Sequence, residues 1–205
     1  MKIVCVSDTH GYYPQNIPDG DIFIHAGDIT KFGKENELYT LNRWLGALPH
    51  KHKIIIAGNH DICFERMRAV SEKVVTAATY LQNSSIVIDG IKFYGSPYQP
   101  RFFEWAFNLD GPALEACWAE IPDDTDVLIT HGPPKHVLDK NLQGENCGCE
   151  LLHWRVKQIK PNHHIFGHIH QSHGEMYESG IHFVNASLLN DHYRPVFLPI
   201  VFETN

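Results

Sequence analysis

Apolar residues arrive in short bursts along this chain, and most bursts end on a polar cluster. The first, Ile-Val-Cys-Val over 3–6, is a largely β-branched run of the kind a strand buried on both faces carries. It leads into Ser7-Asp8-Thr9-His10-Gly11. Runs over 21–25 and 53–57 end on Gly27-Asp28 and on Gly58-Asn59-His60-Asp61. Residues 126–130 deliver His131-Gly132-Pro133-Pro134, and residues 163–166 deliver Gly167-His168-Ile169-His170. Between the second and third runs, Leu38, Leu41, Leu45 and Leu48 form one face of an amphipathic helix over 34–48, closed by Pro49. Helices are also predicted over 112–121, with proline near the first turn, and over 150–159. Residues 62–82 read as helix in two pieces, 65–70 and 72–80. Asp89-Gly90, set between apolar runs over 85–88 and 91–94, is a two-residue hairpin signal. Residues 95–110, rich in proline and aromatics, form a packed loop. Strand character returns over 174–177, 181–185 and 196–202.

Strand–helix alternation followed by a strand-rich end implies two stacked sheets with helices outside. With no linker, repeat or low-complexity block, residues 1–205 are expected to be one domain. Open α/β sheets collect ligands at the carboxyl ends of their strands, which is where these polar clusters fall.

Composition changes this picture little. A hydrophobic share of 43% and a charged share of 20% are ordinary for a soluble globular chain, and 205 residues suffice for a full core. A net charge of -7 lacks the broad basic footprint of a protein that grips long nucleic acid. A small phosphate ester remains a possible partner if metal supplies positive charge. No apolar run is long enough to span a bilayer, and the start is strand-like rather than a signal peptide. The five cysteines are odd in number and show no C-x-x-C, so they read as reduced thiols, with Cys147-Gly148-Cys149 as a loop. A cytoplasmic protein with no membrane partner is expected. The one anomaly is fifteen histidines.

The polar clusters together offer two carboxylates (Asp8, Asp28), one amide oxygen (Asn59) and five imidazoles (His10, His60, His131, His168, His170), enough to hold two divalent metal ions. Asp28, an isolated carboxylate at a strand end, is the natural bridge between the ions. Asp8 and His10 can reach one ion together from their loop. Asn59 ligates without adding charge, which keeps the pair electrophilic toward phosphate. A water held between ions roughly 3.5–4 Å apart becomes hydroxide near neutral pH and can attack phosphorus in line. His60, beside a ligand yet free of the metals, is placed to protonate the departing oxygen. Arg101, a guanidinium in an aromatic loop, is a candidate for holding substrate phosphate. His25 reads as a satisfied core histidine, and the remaining nine histidines carry no role. Trp105 and Phe107 read as core, and Asn185 and Ser187 as satisfying backbone at a strand end. Asp61 would orient His60 or cap the following helix.

Asp8-x-His10, Gly27-Asp28, Gly58-Asn59-His60-Asp61, His131 and Gly167-His168-x-His170 resemble, in order, the motif set of the calcineurin-like metallophosphoesterase superfamily. The resemblance implies a four-layer α/β/β/α sandwich, two stacked mixed β-sheets flanked by helices. It implies that Asp8, His10, Asp28 and His170 hold one metal, that Asp28, Asn59, His131 and His168 hold the other, and that His60 is the protonating histidine. Residues 95–107, His131-Gly-Pro-Pro134 and Phe183-Val-Asn-Ala-Ser187 are similar to the metallophosphoesterase-domain-containing proteins grouped with class III cyclic nucleotide phosphodiesterases. Some animal members of that group carry glycine at the position of His168, so the second site here is expected to be complete.

The expected activity is a dinuclear metal-dependent phosphodiesterase acting on small esters such as cyclic nucleotides. The rivals are a phosphomonoesterase acting on nucleotides or phosphoprotein and a non-catalytic protein-binding scaffold. Imidazole and carboxylate together suit Mn, Fe, Zn or Co, so the donor set leaves the metal's identity open.

Overall fold

A computed structural model describes residues 1–204. The amino-terminal part alternates strand and helix. It runs β1 (Lys2–Val6), β2 (Ile22–Ala26), α1 (Glu35–Ala47), β3 (His52–Ile56), α2 (Ile62–Arg66), α3 (Arg68–Val74) and β4 (Thr79–Tyr80). These four strands are parallel neighbours in chain order. A second sheet follows, from β5 (Ser84–Ile88) and β6 (Ile91–Ser96), through the two-residue strands β7 (Gln99–Pro100) and β8 (Asn108–Leu109), which pair only with each other, to α4 (Gly111–Ala119) and β9 (Val127–Thr130). It continues with α5 (Glu150–Ile159), β10 (His163–Phe166), β11 (Gly174–Glu178) and β12 (Ile181–Asn185). The chain then crosses back, and β13 (Ile200–Glu203) pairs antiparallel with β1.

The result is a five-stranded sheet, β13-β1-β2-β3-β4, stacked on a six-stranded one, β11-β12-β10-β9-β6-β5. Both are mixed, with antiparallel strands only at their edges. The apolar bursts are explained by burial on two sides. In β1, Ile3 and Cys5 face the other sheet and, with Ile24 and Ile54 of their own sheet, pack against Phe93, Ile129, Ile165 and Val184. Val4 and Val6 face outward against Leu38, Leu41, Trp44 and Leu45 of α1. A third cluster packs Leu114 and Trp118 of α4 and Leu152 and Val156 of α5 on the outer face of the six-stranded sheet. The layers are therefore α/β/β/α, as expected. Each fully buried Ile or Phe contributes about 1.5–3 kcal/mol relative to exposure, so these apolar layers hold up the polar loops at the strand ends.

One junction matters most for those loops. Ser7 at the end of β1 bridges in parallel to Ser187 just past β12. Ser7 N–H donates to Ala186 O at 2.8 Å, and Leu188 N–H donates to Ser7 O at 3.0 Å. The two sheets are thus joined by backbone hydrogen bonds at their carboxyl ends.

Three expectations need correction. The second helical piece stops at Val74 instead of running to residue 80. Asn42 of α1 is the cause: its Oδ1 accepts the N–H groups of Thr76 and Ala77 at 2.9 and 2.8 Å, so these cannot continue the helix. The chain then straightens, and β4 pairs with β3. The first piece lies over Ile62–Arg66 rather than 65–70, broken from α3 at Met67. The last strand starts at Ile200, because residues 195–199 contain Pro195 and Pro199, which cannot donate to a ladder. The hairpin at Asp89-Gly90 forms as expected, with both residues at positive φ and Ile88 opposite Ile91. All five cysteines are free thiols. Among the described residues no helix is long and apolar enough to cross a membrane.

Candidate metal centre

Every parallel strand of the central region points its carboxyl end at one place. β1 brings Asp8 and His10, β2 brings Asp28, β3 brings Asn59 and His60, β9 brings His131, and β10 brings His168 and His170. Asp8 and His168 are 160 residues apart in sequence, yet the His168 N–H donates to both Asp8 carboxylate oxygens at 3.1 and 3.0 Å. His170 Nε2 lies 3.3 Å from Asp8 Oδ1 and 3.4 Å from His10 Nε2. Asp28 sits in the middle. Its Oδ2 is 3.6 Å from His10 Nε2 and its Oδ1 is 3.5 Å from His131 Nε2. The Asn59 amide oxygen is 2.9 Å from that same His131 nitrogen. Two groups with metal-ligand spacing, Asp8/His10/His170 and Asp28/His131/His168, therefore lie on either side of Asp28, and His60 is near enough to form a third with His10 and Asp28.

The backbone is bent hard to achieve this. Asp8, His10, Asp28 and His168 have φ of 54°, 44°, 53° and 68°, a left-handed region that L side chains rarely adopt. Two glycines make room. A Cβ on Gly58 would overlap the Asp28 carboxylate, and one on Gly167 would overlap the carboxylate of Asp8 and the hydroxyl of Ser7. The strand–Gly–ligand pattern of the sequence is thus a close-approach requirement.

Hydrogen bonds outside the cluster fix how the rings face. His131 Nδ1 donates to Ala26 O at 3.1 Å, His170 Nδ1 to Asn190 O at 3.0 Å, and His60 Nδ1 to Lys31 O at 3.1 Å. Each ring so held has Nε2 as its remaining nitrogen, the arrangement that carbonyl partners impose on metal-ligating histidines. The charge balance also fits cations. Burial pushes the Asp8 and Asp28 carboxyls up, but His170 beside the one and His131 beside the other hold both well below the ordinary carboxylate range. Burial pushes His131 and His170 down, and the same two carboxylates overrule it and draw each up to about 9. His10 and His168, where burial wins, lie at about 4 and present neutral lone pairs. A buried site with two carboxylates that demand positive charge and neutral imidazoles around them suits divalent metal.

Comparison with known proteins agrees. The family model described as calcineurin-like phosphoesterase matches residues 1–172. The chain belongs to this family. It is a metal-dependent phosphoester hydrolase fold, and membership implies a centre of two divalent ions. The human metallophosphoesterase domain-containing protein 1 is 40% identical over 230 residues, covering 98% of this chain and 70% of that protein. One solved structure superposes with a TM-score of 0.68 at 17% identity, covering 90% of this chain and 89% of that one. GAP50, an anchor in the inner membrane complex of Plasmodium, superposes with a TM-score of 0.55 at 10% identity, covering 92% of this chain and 71% of that one. These two likenesses show the fold.

In this phosphoesterase the converging residues open onto a cavity of about 420 Å³. The other candidates from the sequence are distributed unevenly. Arg101 lines the cavity, but its guanidinium is engaged by Asp110 at 2.6 Å and approached by Glu104 at 3.8 Å. Phe107 is core, whereas Trp105 is not: its indole stacks on His60 with ring centroids 4.2 Å apart. Asp61 neither orients the His60 ring nor caps α2 with its side chain. It accepts the N–H groups of Ile29, Thr30 and Gly58 and the Thr30 hydroxyl, tying the loops after β2 and β3 together. Burial, then Asp28, pushes its carboxyl up to about 6 against those bonds. His25 is buried with Nε2 3.0 Å from the Thr9 hydroxyl, though its Nδ1 has no partner.

The contacts of three neighbours of the site escaped the sequence. Ser187 Oγ lies 2.8 Å from Asp8 Oδ2 and 2.8 Å from Asn185 Oδ1, while Asn185 Nδ2 donates to Ile169 O at 2.9 Å. The pair supports the ligand loops of both sheets rather than merely satisfying its own strand end. Tyr193 puts its ring edge-on to His10 at 4.8 Å between centroids and lines the cavity. Asn185 and Ser187 lie in the stretch 183–187 that carried the family resemblance, but nothing local to them or to Tyr193 signals contact with the site, which each reaches by a long chain return.

Proposed function

We propose that this phosphoesterase is a dinuclear phosphodiesterase of small phosphate esters, with Asp8, His10, Asp28 and His170 around one ion and Asp28, Asn59, His131 and His168 around the other. The observation that carries the assignment is the split of Asp28, whose two oxygens face different imidazoles, His10 and His131, at 3.6 and 3.5 Å. Bound there, two divalent ions supply Lewis acidity toward a phosphate oxygen and lower the pKa of an attacking water.

The remaining work falls to side chains. His60 has its backbone N–H on Asp28 Oδ1 at 2.7 Å and its Nδ1 on Lys31 O, so Nε2 is the nitrogen free to act. As the bond from phosphorus to the departing oxygen breaks, that oxygen takes the proton carried on His60 Nε2. Phe102, Tyr193 and Ile169 wall the cavity beside these groups. A diester carries one negative charge and a monoester up to two. Arg101 is the sole lysine or arginine among the described residues lining the cavity, and it is already paired with acids. The second charge of a monoester therefore meets no free lysine or arginine, which favours the diester.

The test is a rate comparison on 4-nitrophenyl diester and monoester substrates after chelation and after restoration with Mn. Chelation is expected to abolish turnover and Mn to restore it, with the diester favoured. Strong monoester turnover without diester turnover would establish the rival phosphomonoesterase, and indifference to chelator would remove the metal mechanism.

A further inference from the structure

His60 is held at more points than a hydrogen bond to Lys31 requires. One face of its imidazole is covered by Trp105, with centroids 4.2 Å apart and planes 28° from parallel. The ring of His10 closes on it edge-to-face at 4.5 Å and 88°. The second side-chain torsion of histidine is a broad, roughly two-fold rotor, so a hydrogen bond at Nδ1 alone leaves the ring plane loosely defined. A stacked indole defines it.

Trp105 is itself set by a closed turn. Ala106 N–H donates to Asn59 O at 3.2 Å, and Phe107 N–H donates to the Glu65 carboxylate at 2.6 Å. Phe107 is buried in the outer core, and the Asn108 side chain spans the turn by accepting from Phe102 N–H at 3.0 Å and donating to Phe103 O at 2.9 Å. The turn that carries the indole is thus fastened to the backbone of a ligand residue and to α2. Its position is coupled to the loop bearing His60.

We infer that Trp105 is a positioning residue: it fixes the plane of His60 so that Nε2 faces the departing oxygen of the ester. This rests on the proton-donor role given to His60 above, and the two ideas are separable. Loss of proton donation matters most when the departing oxygen is strongly basic, and little when it is already stable as an anion.

The experiment measures kcat for 4-nitrophenyl and unsubstituted phenyl diesters on the Mn-loaded full chain, in wild type, Trp105→Leu, Trp105→Phe and His60→Gln, with metal content measured in each. Trp105→Leu is expected to keep its metal, to slow the phenyl ester by about 10–100-fold, and to change the nitrophenyl ester by less than about threefold. Trp105→Phe, which keeps an aromatic face, is expected to recover most of the loss. His60→Gln is expected to show the same leaving-group bias more strongly. If Trp105→Leu slows both esters equally, or neither, while His60→Gln shows the bias, the positioning role is overturned and the proton donor stands. If His60→Gln shows no bias, the proton-donor role itself fails, and the inference about Trp105 with it.

Discussion

At the scale of single residues, the site is a set of buried polar groups that are tolerable only because each has a partner. Asp8 shows this best. It is fully buried and accepts from the His168 N–H while His170 and Ser187 approach its oxygens. Removing Ser187 leaves the carboxylate less firmly aimed, and partners of this kind are typically worth about 10–100-fold in metal affinity. Ser187→Ala is therefore expected to weaken metal binding by that order with the fold intact, as read by competition with a chromogenic chelator. A different single residue reports on folding. His164 is buried, with Nε2 2.8 Å from the Thr130 hydroxyl, and since that hydroxyl donates to Gly132 O, Nε2 carries the proton and Nδ1 is the unpartnered atom. Burial pushes this ring down to about 3. It stays neutral in the fold but takes a proton in the unfolded chain below about 6.5, so its effect on stability is absent above that pH and grows unfavourable as pH falls toward 3. Each such ring costs about 1.4 kcal/mol per pH unit inside the window. In metal-free protein unfolded with urea, His164→Gln is expected to lessen the fall in stability between pH 6 and pH 4 by about that slope, and an unchanged slope would contradict it.

At the scale of elements, the strands were legible and the boundaries of the short pieces were not. A strand buried on both faces must be apolar throughout, so the runs ending before Asp8, Asp28, Asn59, His131 and His168 announced themselves. α5 was placed to the residue, because its apolar stripe and flanking turn coincide. The segment after α2 was misjudged because its helix is cut by a side chain from another element, Asn42, at 2.9 and 2.8 Å from two amides. Nothing in the local sequence carries that information. Asn42→Ala is expected to destabilise the fold by about 1 kcal/mol, chiefly the cost of the part-buried Ala77 amide losing its partner while Thr76 N–H keeps Val74 O, and to leave the phosphoesterase rate nearly unchanged, since α1 and α3 lie away from the cavity. Urea unfolding and a rate assay on the same preparation check both halves.

At the scale of the whole molecule, the decisive feature is the meeting of two sheets at Ser7 and Ser187. The residues that converge at the strand ends and their order along the chain could be read from the sequence, and so could the general architecture. The sheet order could not, because β4 is two residues long and β13 returns from the far end to pair with β1. For the same reason the contributions of Ser187, Asn185 and Tyr193 were invisible: they depend on which strand ends lie side by side. The proposed assignment has one carboxylate from the first sheet, Asp28, joining two metal sites, one completed by His170 and the other by His131 and His168 of the second sheet. It is tested most directly by counting Mn bound per chain in wild type, Asp28→Asn, His131→Ala and His170→Ala, under the same free-metal concentration. Two ions in wild type, one in each histidine variant and a loss at both sites in Asp28→Asn are expected. An Asp28→Asn chain that still holds one ion with unweakened affinity would contradict the claim.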